Sequence, residues 1–211
     1  SASGLAQADA VTEWNERANN AVATAGPPPV QNRMMTIIQI AVHDALNDVT
    51  PRFENYTPRT PAAEGASGAA AAISAAFTAT SLLVPAQAAS LQVVYENRLV
   101  ELPPCPAQYP TCIDDGVAAG AAAAQRILAL RNNDGSATPN LPYTLPAGPG
   151  VHQPTPPAFA PPQFAGWANV TPFALTYPSQ FRAPPSAVMN LNSFQYTMDF
   201  NEVKALGNTV V

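Results

Sequence analysis

The sequence predicts an all-α protein, a bundle of about five to six helices with a long, ordered, proline-rich irregular segment. Apolar residues recur at helical spacing through the first 135 positions, and no stretch of useful length alternates like a strand. The 24 prolines are about twice the usual share. We expect an alanine-rich helical bundle at 1–135, an irregular segment at 136–190 packed on it, and the start of a further helical part at 191–211.

The first two predicted helices are bounded by proline. Residues 8–25 carry apolar side chains three and four positions apart, and Gly26 followed by three prolines ends that helix, because proline cannot continue one. Residues 32–49 are apolar on nearly every side, which is typical of the buried centre of a bundle, and Pro51 ends them.

Three more helices are predicted in the first part of the chain. They cover about residues 64–83, 86–101 and 114–130, and the high alanine content indicates that they pack closely. Two aspartates favour the first turn of the third of these helices, since acidic groups are stabilised there by the helix dipole. The predicted core contains Trp14, Met34, Ile38, Val42, Phe77, Leu91, Ile127 and Leu130.

The composition changes after residue 135. Residues 136–185 contain 13 prolines and a single charged residue, Arg182, so regular structure is largely excluded. The segment also carries seven large aromatic residues, which a solvated linker would not expose, so we expect it to be ordered and laid over the helices. A proline-rich ligand for another domain is the alternative. If Phe173 is buried, its replacement by alanine should cost about 3 kcal/mol or more. A last helix is expected over residues 193–206, followed by Gly207.

The two cysteines, Cys105 and Cys112, lie in a proline-stiffened loop between two predicted helices. We predict that they form a disulfide. A zinc site would need two more ligands, a redox pair is normally C-x-x-C, and two free thiols are the remaining alternative. A disulfide indicates an oxidising compartment, so the protein is expected to be secreted, either extracellular or periplasmic. The opening residues, Ser1 to Gly4, fit a mature secreted product.

The charge of the chain excludes several classes of partner. A net charge of −5, with Lys204 as the single lysine, argues against nucleic acid and against anionic membrane surfaces. The small-apolar stretches are too short and too rich in alanine to cross a bilayer, so no membrane span is predicted.

Few residues suggest chemistry. His43 is adjacent to Asp44 and near Asp48 on the most apolar helix, where the two carboxylates share a face. These residues could serve a metal site, but a histidine hydrogen-bonded to backbone or carboxylate is the favoured interpretation. His152 has no acidic neighbour in sequence to orient it as a base. Nucleophile elbows, phosphate loops and zinc-protease motifs are absent, so the residues alone predict no catalytic residue, no cofactor-binding residue and no metal ligand in this chain.

The order of several short segments is shared with one protein family. The segments are residues 9–15, 41–47, 85–87, 127–135, 151–157, 170–173, 180–182 and 199–207. Together they resemble the secreted vanadium-dependent haloperoxidase-related proteins of the type-2 phosphatidic acid phosphatase superfamily. The resemblance implies a helical protein whose full-length relatives bind vanadate or phosphate.

The family's oxyanion-binding motifs have no counterpart in this sequence. Those relatives use a Lys–Arg motif, a Pro-Ser-Gly-His segment and a later Arg…His motif. Here the residue seven positions after Lys204 is Val211, and the two Pro-Ser pairs are followed by Gln180 and Ala187. The family's catalytic residues therefore carry over onto no position, and vanadate or phosphate is implied only for a full-length relative.

Two functions follow as expectations. In the first, the chain is the N-terminal scaffold part of a haloperoxidase- or acid phosphatase-like protein, inactive alone, whose catalytic portion comes from the same protein or from a second chain. In the second, it is a stand-alone secreted helical binding module without catalysis.

Overall fold

The computed structural model describes residues 9–138, 140–148, 151–182 and 190–207, which contain helices and no strand, so the all-α prediction is confirmed. Two compact units are present, Ser1–Asn132 and Asn133–Val211. Six α-helices lie in the described ranges: α1 (Ala10–Val22), α2 (Pro28–Val49), α3 (Gly68–Leu83), α4 (Ala88–Val100), α5 (Cys112–Arg131) and α6 (Phe194–Leu206).

Capping by Asp9 defines the start of α1. Its side chain accepts a hydrogen bond from the Thr12 N–H at 2.8 Å, and this bond holds the pKa of the Asp9 carboxyl below its ordinary value. The helix places Trp14 in the core, where the indole packs edge-on against Phe77 of α3 and Tyr95 of α4. Phe77 and Tyr95 stack with their ring centroids 4.2 Å apart, so one aromatic cluster joins three helices.

The starts of α2 and α3 differ from the predicted ones. Helix α2 begins at Pro28 rather than near residue 32, because proline is well suited to the first turn of a helix, where its missing N–H is not needed. Helix α3 begins at Gly68 rather than near residue 64. The preceding Gly65 has φ +79°, which lies outside helical geometry, and the Ser67 side chain caps the helix by accepting from Ala70 N–H.

Helix α3 is central to the first unit and packs against α1, α2, α4 and α5. It approaches α5 closely at two glycines of α5. A Cβ atom added at Gly116 would lie 2.4 Å from the Ser67 carbonyl oxygen, and one at Gly120 would lie 2.2 Å from that of Ala71. The close packing expected from the alanine content is therefore achieved by glycine on one helix against the backbone of the other.

Most of the predicted core is confirmed, but Leu130 is not part of it. Five of the eight residues are buried, and two are half-buried, Met34 and Phe77. Leu130 is 57% exposed. The buried face of α5 runs instead through Ile127 to Arg131, so Leu130 lies beside that face at the end of the helix.

The second unit is mostly irregular and is held by local contacts. Asp134 O accepts a hydrogen bond from Thr171 N–H at 2.8 Å, and Gly135, at φ +93°, leaves no room for a Cβ, which would lie 2.8 Å from Asn169 O. A short 3₁₀ helix, Ala165–Asn169, is the regular element of the described part of 136–182.

The aromatic residues of this segment are less buried than the sequence suggested. Three of the seven are exposed and four half-buried, and rings pair with neighbours close in sequence, as Phe164 does with Trp167 at 5.5 Å. Phe173 is half-buried. The cost of about 3 kcal/mol or more, which was expected if Phe173 were buried, therefore does not apply to its replacement by alanine.

Helix α6 occupies the expected position, and Ser193 caps it by accepting from Tyr196 N–H. No residue of this helix is buried. As for membranes, no single helix of the described ranges is long and apolar enough to cross one. The pair Gly68–Leu83 and Pro85–Val100 reaches that threshold only when combined, across a bend of 119°.

Candidate functional site

The carboxylates predicted to share a face of α2 both bind the polypeptide that follows the helix. Asp44 is fully buried. One of its oxygens accepts from Tyr56 N–H at 2.8 Å, and the other accepts from the N–H and the hydroxyl of Thr57 at 2.8 and 2.6 Å. Three donors from one short stretch of chain thus converge on a single carboxylate.

Asp48, one turn further along α2, extends the same arrangement to α5. One oxygen accepts from the Asn55 amide at 2.9 Å and from Thr60 N–H at 3.2 Å. Its other oxygen pairs with the guanidinium of Arg126, which also donates to the Thr57 hydroxyl at 3.2 Å. We call Asp44, Asp48, Thr57 and Arg126 the carboxylate cluster.

The chemistry of the carboxylate cluster is structural. All four carboxylate oxygens accept from protein donors, so a metal ion would have to displace those bonds. In the part of the chain that the structure describes, no group of three or more His, Cys, Asp or Glu residues is placed to hold a metal ion. The cluster therefore fastens the loop after α2 and joins α2 to α5.

His43 lies next to Asp44 in sequence but belongs to a different environment. Its Nε2 is 3.0 Å from the Glu54 carbonyl oxygen and 3.3 Å from the Asn47 amide nitrogen. Because a carbonyl oxygen only accepts, a hydrogen bond to Glu54 requires a proton on Nε2. The half-buried ring lies 6.3 Å from that of Phe53, centroid to centroid. This geometry agrees with the favoured interpretation of a histidine bonded to backbone.

A cavity of about 500 Å³ opens beside His43, and we call it the His43 cavity. Asn47 holds the backbone of two residues that line this cavity. The Asn47 side-chain oxygen accepts from the N–H groups of Arg52 and Phe53 at 3.1 and 2.8 Å, and its amide donates to the His43 carbonyl at 2.8 Å. Residues that line the cavity include His43, Leu46, Val49, Arg52, Phe53 and Gly68.

The second histidine lies in the other unit. His152 is exposed, and its ring contacts that of Tyr143 edge-on at 5.9 Å. The described contacts give it no carboxylate that would orient it as a general base.

Sequence reasoning missed Arg126, because it singled out no arginine of the predicted helices. A signal was present, since Arg126 is the sole charged residue between Asp115 and Arg131 in an alanine-rich helix. A lone cation on such a helix is a candidate for an ion pair with another element. The partner itself could not be named, because Asp48 is 78 residues away.

The predicted disulfide between Cys105 and Cys112 is confirmed. Cys112 begins α5, and its carbonyl accepts from the N–H of Ser67, the cap of α3, at 2.8 Å. Within the loop, the Tyr109 hydroxyl donates to Glu64 at 2.9 Å, and this bond raises the pKa of Tyr109. The disulfide thus holds the loop beside the starts of two core helices.

Removing this disulfide should destabilise the protein by about 2.5 kcal/mol, because the bridge closes a short loop in the unfolded chain. The measurement is urea unfolding of the Cys105→Ser/Cys112→Ser double variant against the wild type. Adding a reductant should lower the wild-type midpoint to that of the variant and leave the variant unchanged. Equal midpoints for both oxidised proteins would contradict the prediction.

Comparisons with known proteins find a likeness in structure alone. No protein-family model matches the sequence, and no curated protein matches it. The fold is similar to a crystal structure described as the first bacterial vanadium-dependent iodoperoxidase, with a TM-score of 0.64 and 20% sequence identity. The likeness covers 96% of this chain and 53% of the other, so this chain spans about half the length of that protein. The chain therefore has a haloperoxidase-like fold.

Proposed function

We propose that this chain is the N-terminal scaffold part of a secreted vanadium haloperoxidase- or acid phosphatase-like protein. Its oxyanion-binding residues would come from a C-terminal catalytic portion of the same protein or from a second chain. The observation that carries this proposal is the fold likeness, which takes in nearly all of this chain and 53% of the iodoperoxidase. The shared order of sequence segments supports the same assignment.

The charges of the described residues support a scaffold role. A bound vanadate or phosphate needs several cations or donors that converge on one point. Here Arg126 is committed to Asp48, Arg98 bridges Glu13 and Glu101, and the chain's single lysine lies on α6. Arg98 thereby links α4 to α1, and Arg126 links α5 to α2.

The isolated chain should have no haloperoxidase or phosphatase activity, because it lacks the family's oxyanion-binding motifs. The test incubates the purified chain with vanadate, peroxide and either bromide or iodide, and separately with a phosphate monoester. We expect no turnover above that of buffer alone. Activity that survives repurification would overturn the proposal. Activity that arises only when the C-terminal portion of the same gene product is added would support it.

A stand-alone secreted binding module is the second candidate, and the His43 cavity is the observation that favours it. Its volume of about 500 Å³ lies within the usual range for small-molecule pockets, roughly 300–1,000 Å³. Comparison of the intact mass of the native protein with its open reading frame separates the two functions. A longer gene product supports the scaffold, and a native stop codon after Val211 supports the module.

A further inference from the structure

We propose that the His43 cavity binds a small aromatic carboxylate. This inference goes beyond the scaffold role and rests on the same cavity that favours the binding module. It follows from the walls of the cavity, from a glycine that keeps it open and from one cation on its wall that has no carboxylate partner among the described residues.

The walls of the cavity suit an aromatic group. Leu46, Val49 and Ala66 contribute apolar surface. At the mouth Phe53 is 72% exposed, and its backbone N–H donates to the Asn47 side-chain oxygen. A flat apolar ligand would cover this ring, and aromatic pairs of this kind are favourable beyond the area that they bury.

Gly68 keeps the cavity open without being required by the backbone. A Cβ atom at Gly68 would meet only Leu46 Cδ2, at 3.7 Å, which is an ordinary contact. Gly116 and Gly120, in contrast, allow the backbone of another helix to approach. Since glycine is also a poorer helix residue than alanine, the space that it leaves is the main structural effect of Gly68.

Arg52 gives the site its charge preference. Within the described residues its guanidinium has no carboxylate or carbonyl partner, whereas its backbone N–H is fixed by Asn47. A guanidinium binds a carboxylate through two parallel hydrogen bonds. The Nε2 of the neighbouring His43 is hydrogen-bonded to the Glu54 carbonyl and is therefore not available to a ligand. Arg52 is then the cation of this site, and it matches a ligand with one negative charge.

The test uses the purified chain and two probes of equal shape, 2-naphthoate and its neutral analogue 2-naphthamide. Isothermal titration should show saturable one-to-one binding of naphthoate, at least tenfold tighter than binding of the amide. Amide cross-peaks in a ¹H–¹⁵N spectrum should shift at residues 43–53 and 66–68. Non-saturable binding, or shifts that centre on α6, would overturn the proposal.

Variants separate the contributions of charge and space. Arg52→Gln should lower naphthoate affinity about tenfold, to the level of the amide, and leave the amide unaffected. Gly68→Leu should place a bulky side chain in the cavity and weaken binding of both probes. If Gly68→Leu does not fold, Phe53→Ala, at an exposed position, should weaken both probes by a similar factor. Lys204→Gln changes the net charge equally on an exposed helix and should have no effect. An equal loss in Lys204→Gln and Arg52→Gln would refute a specific site.

Discussion

Replacement of Gly120 by alanine is expected to destabilise the first unit by about 3 kcal/mol, the upper part of the range for overpacked cores. Alanine is intrinsically the better helix residue by about 1 kcal/mol, so propensity alone predicts the opposite sign. The steric clash outweighs this difference in helix propensity. The new Cβ would lie 2.2 Å from Ala71 O and 2.8 Å from Ala75 N, both backbone atoms of α3 that cannot rotate away.

The helices would have to separate to admit the methyl group. That movement would stretch the hydrogen bond from the Ser74 hydroxyl to Val117 O, which is 2.8 Å long, and would loosen the buried alanines around it. Urea unfolding followed by circular dichroism measures the loss. The control is Gly68→Ala, whose Cβ meets only an ordinary contact at 3.7 Å and should leave the midpoint unchanged or slightly raised. If Gly120→Ala unfolds at the wild-type midpoint, α3 and α5 separate at a lower cost in free energy than we infer.

The helical architecture could be predicted because it depends on local sequence. Helical spacing and proline breaks locate the helices, and alanine content predicts close packing. The exact starts could not be predicted from the same signals. Pro28 both follows one helix and begins the next, and the start of α3 at Gly68 depends on a turn at Gly65 whose φ the sequence does not show.

The candidate sites were predictable only in part, because they combine distant segments. The spacing of Asp44 and Asp48 correctly placed both carboxylates on one face of α2. Their donors, however, come from a loop 7–13 residues away and from Arg126 on α5. The His43 cavity likewise needs Gly68 of α3 beside the end of α2. Helical periodicity predicts neither of these contacts between distant segments.

The carboxylate cluster leads to the second large expected effect, a loss of about 3 kcal/mol in Asp44→Asn, comparable to the loss of a charged acceptor from a buried network. Asparagine preserves the shape of the side chain but replaces one acceptor oxygen with an NH₂ donor. If the remaining oxygen serves Tyr56 N–H, the new NH₂ group faces the Thr57 N–H and hydroxyl, which now donate to Oδ2 of Asp44. If the amide is rotated, its NH₂ group faces the Tyr56 N–H instead, so two donors still face each other.

The effect should spread beyond Asp44, because Thr57 is shared. Its hydroxyl accepts from Arg126 while donating to Asp44, so turning it toward the new amide weakens the link between the loop and α5. We therefore expect faster hydrogen exchange at the Tyr56 and Thr57 amides together with the lower urea midpoint. Asp114→Asn is the matched control. Asp114 is exposed and accepts no hydrogen bond among the described residues, so its loss should stay below about 1 kcal/mol, the contribution of a helix-dipole interaction. Equal losses in the two variants, or unchanged exchange at Thr57, would mean that the loop is held by packing rather than by the carboxylate.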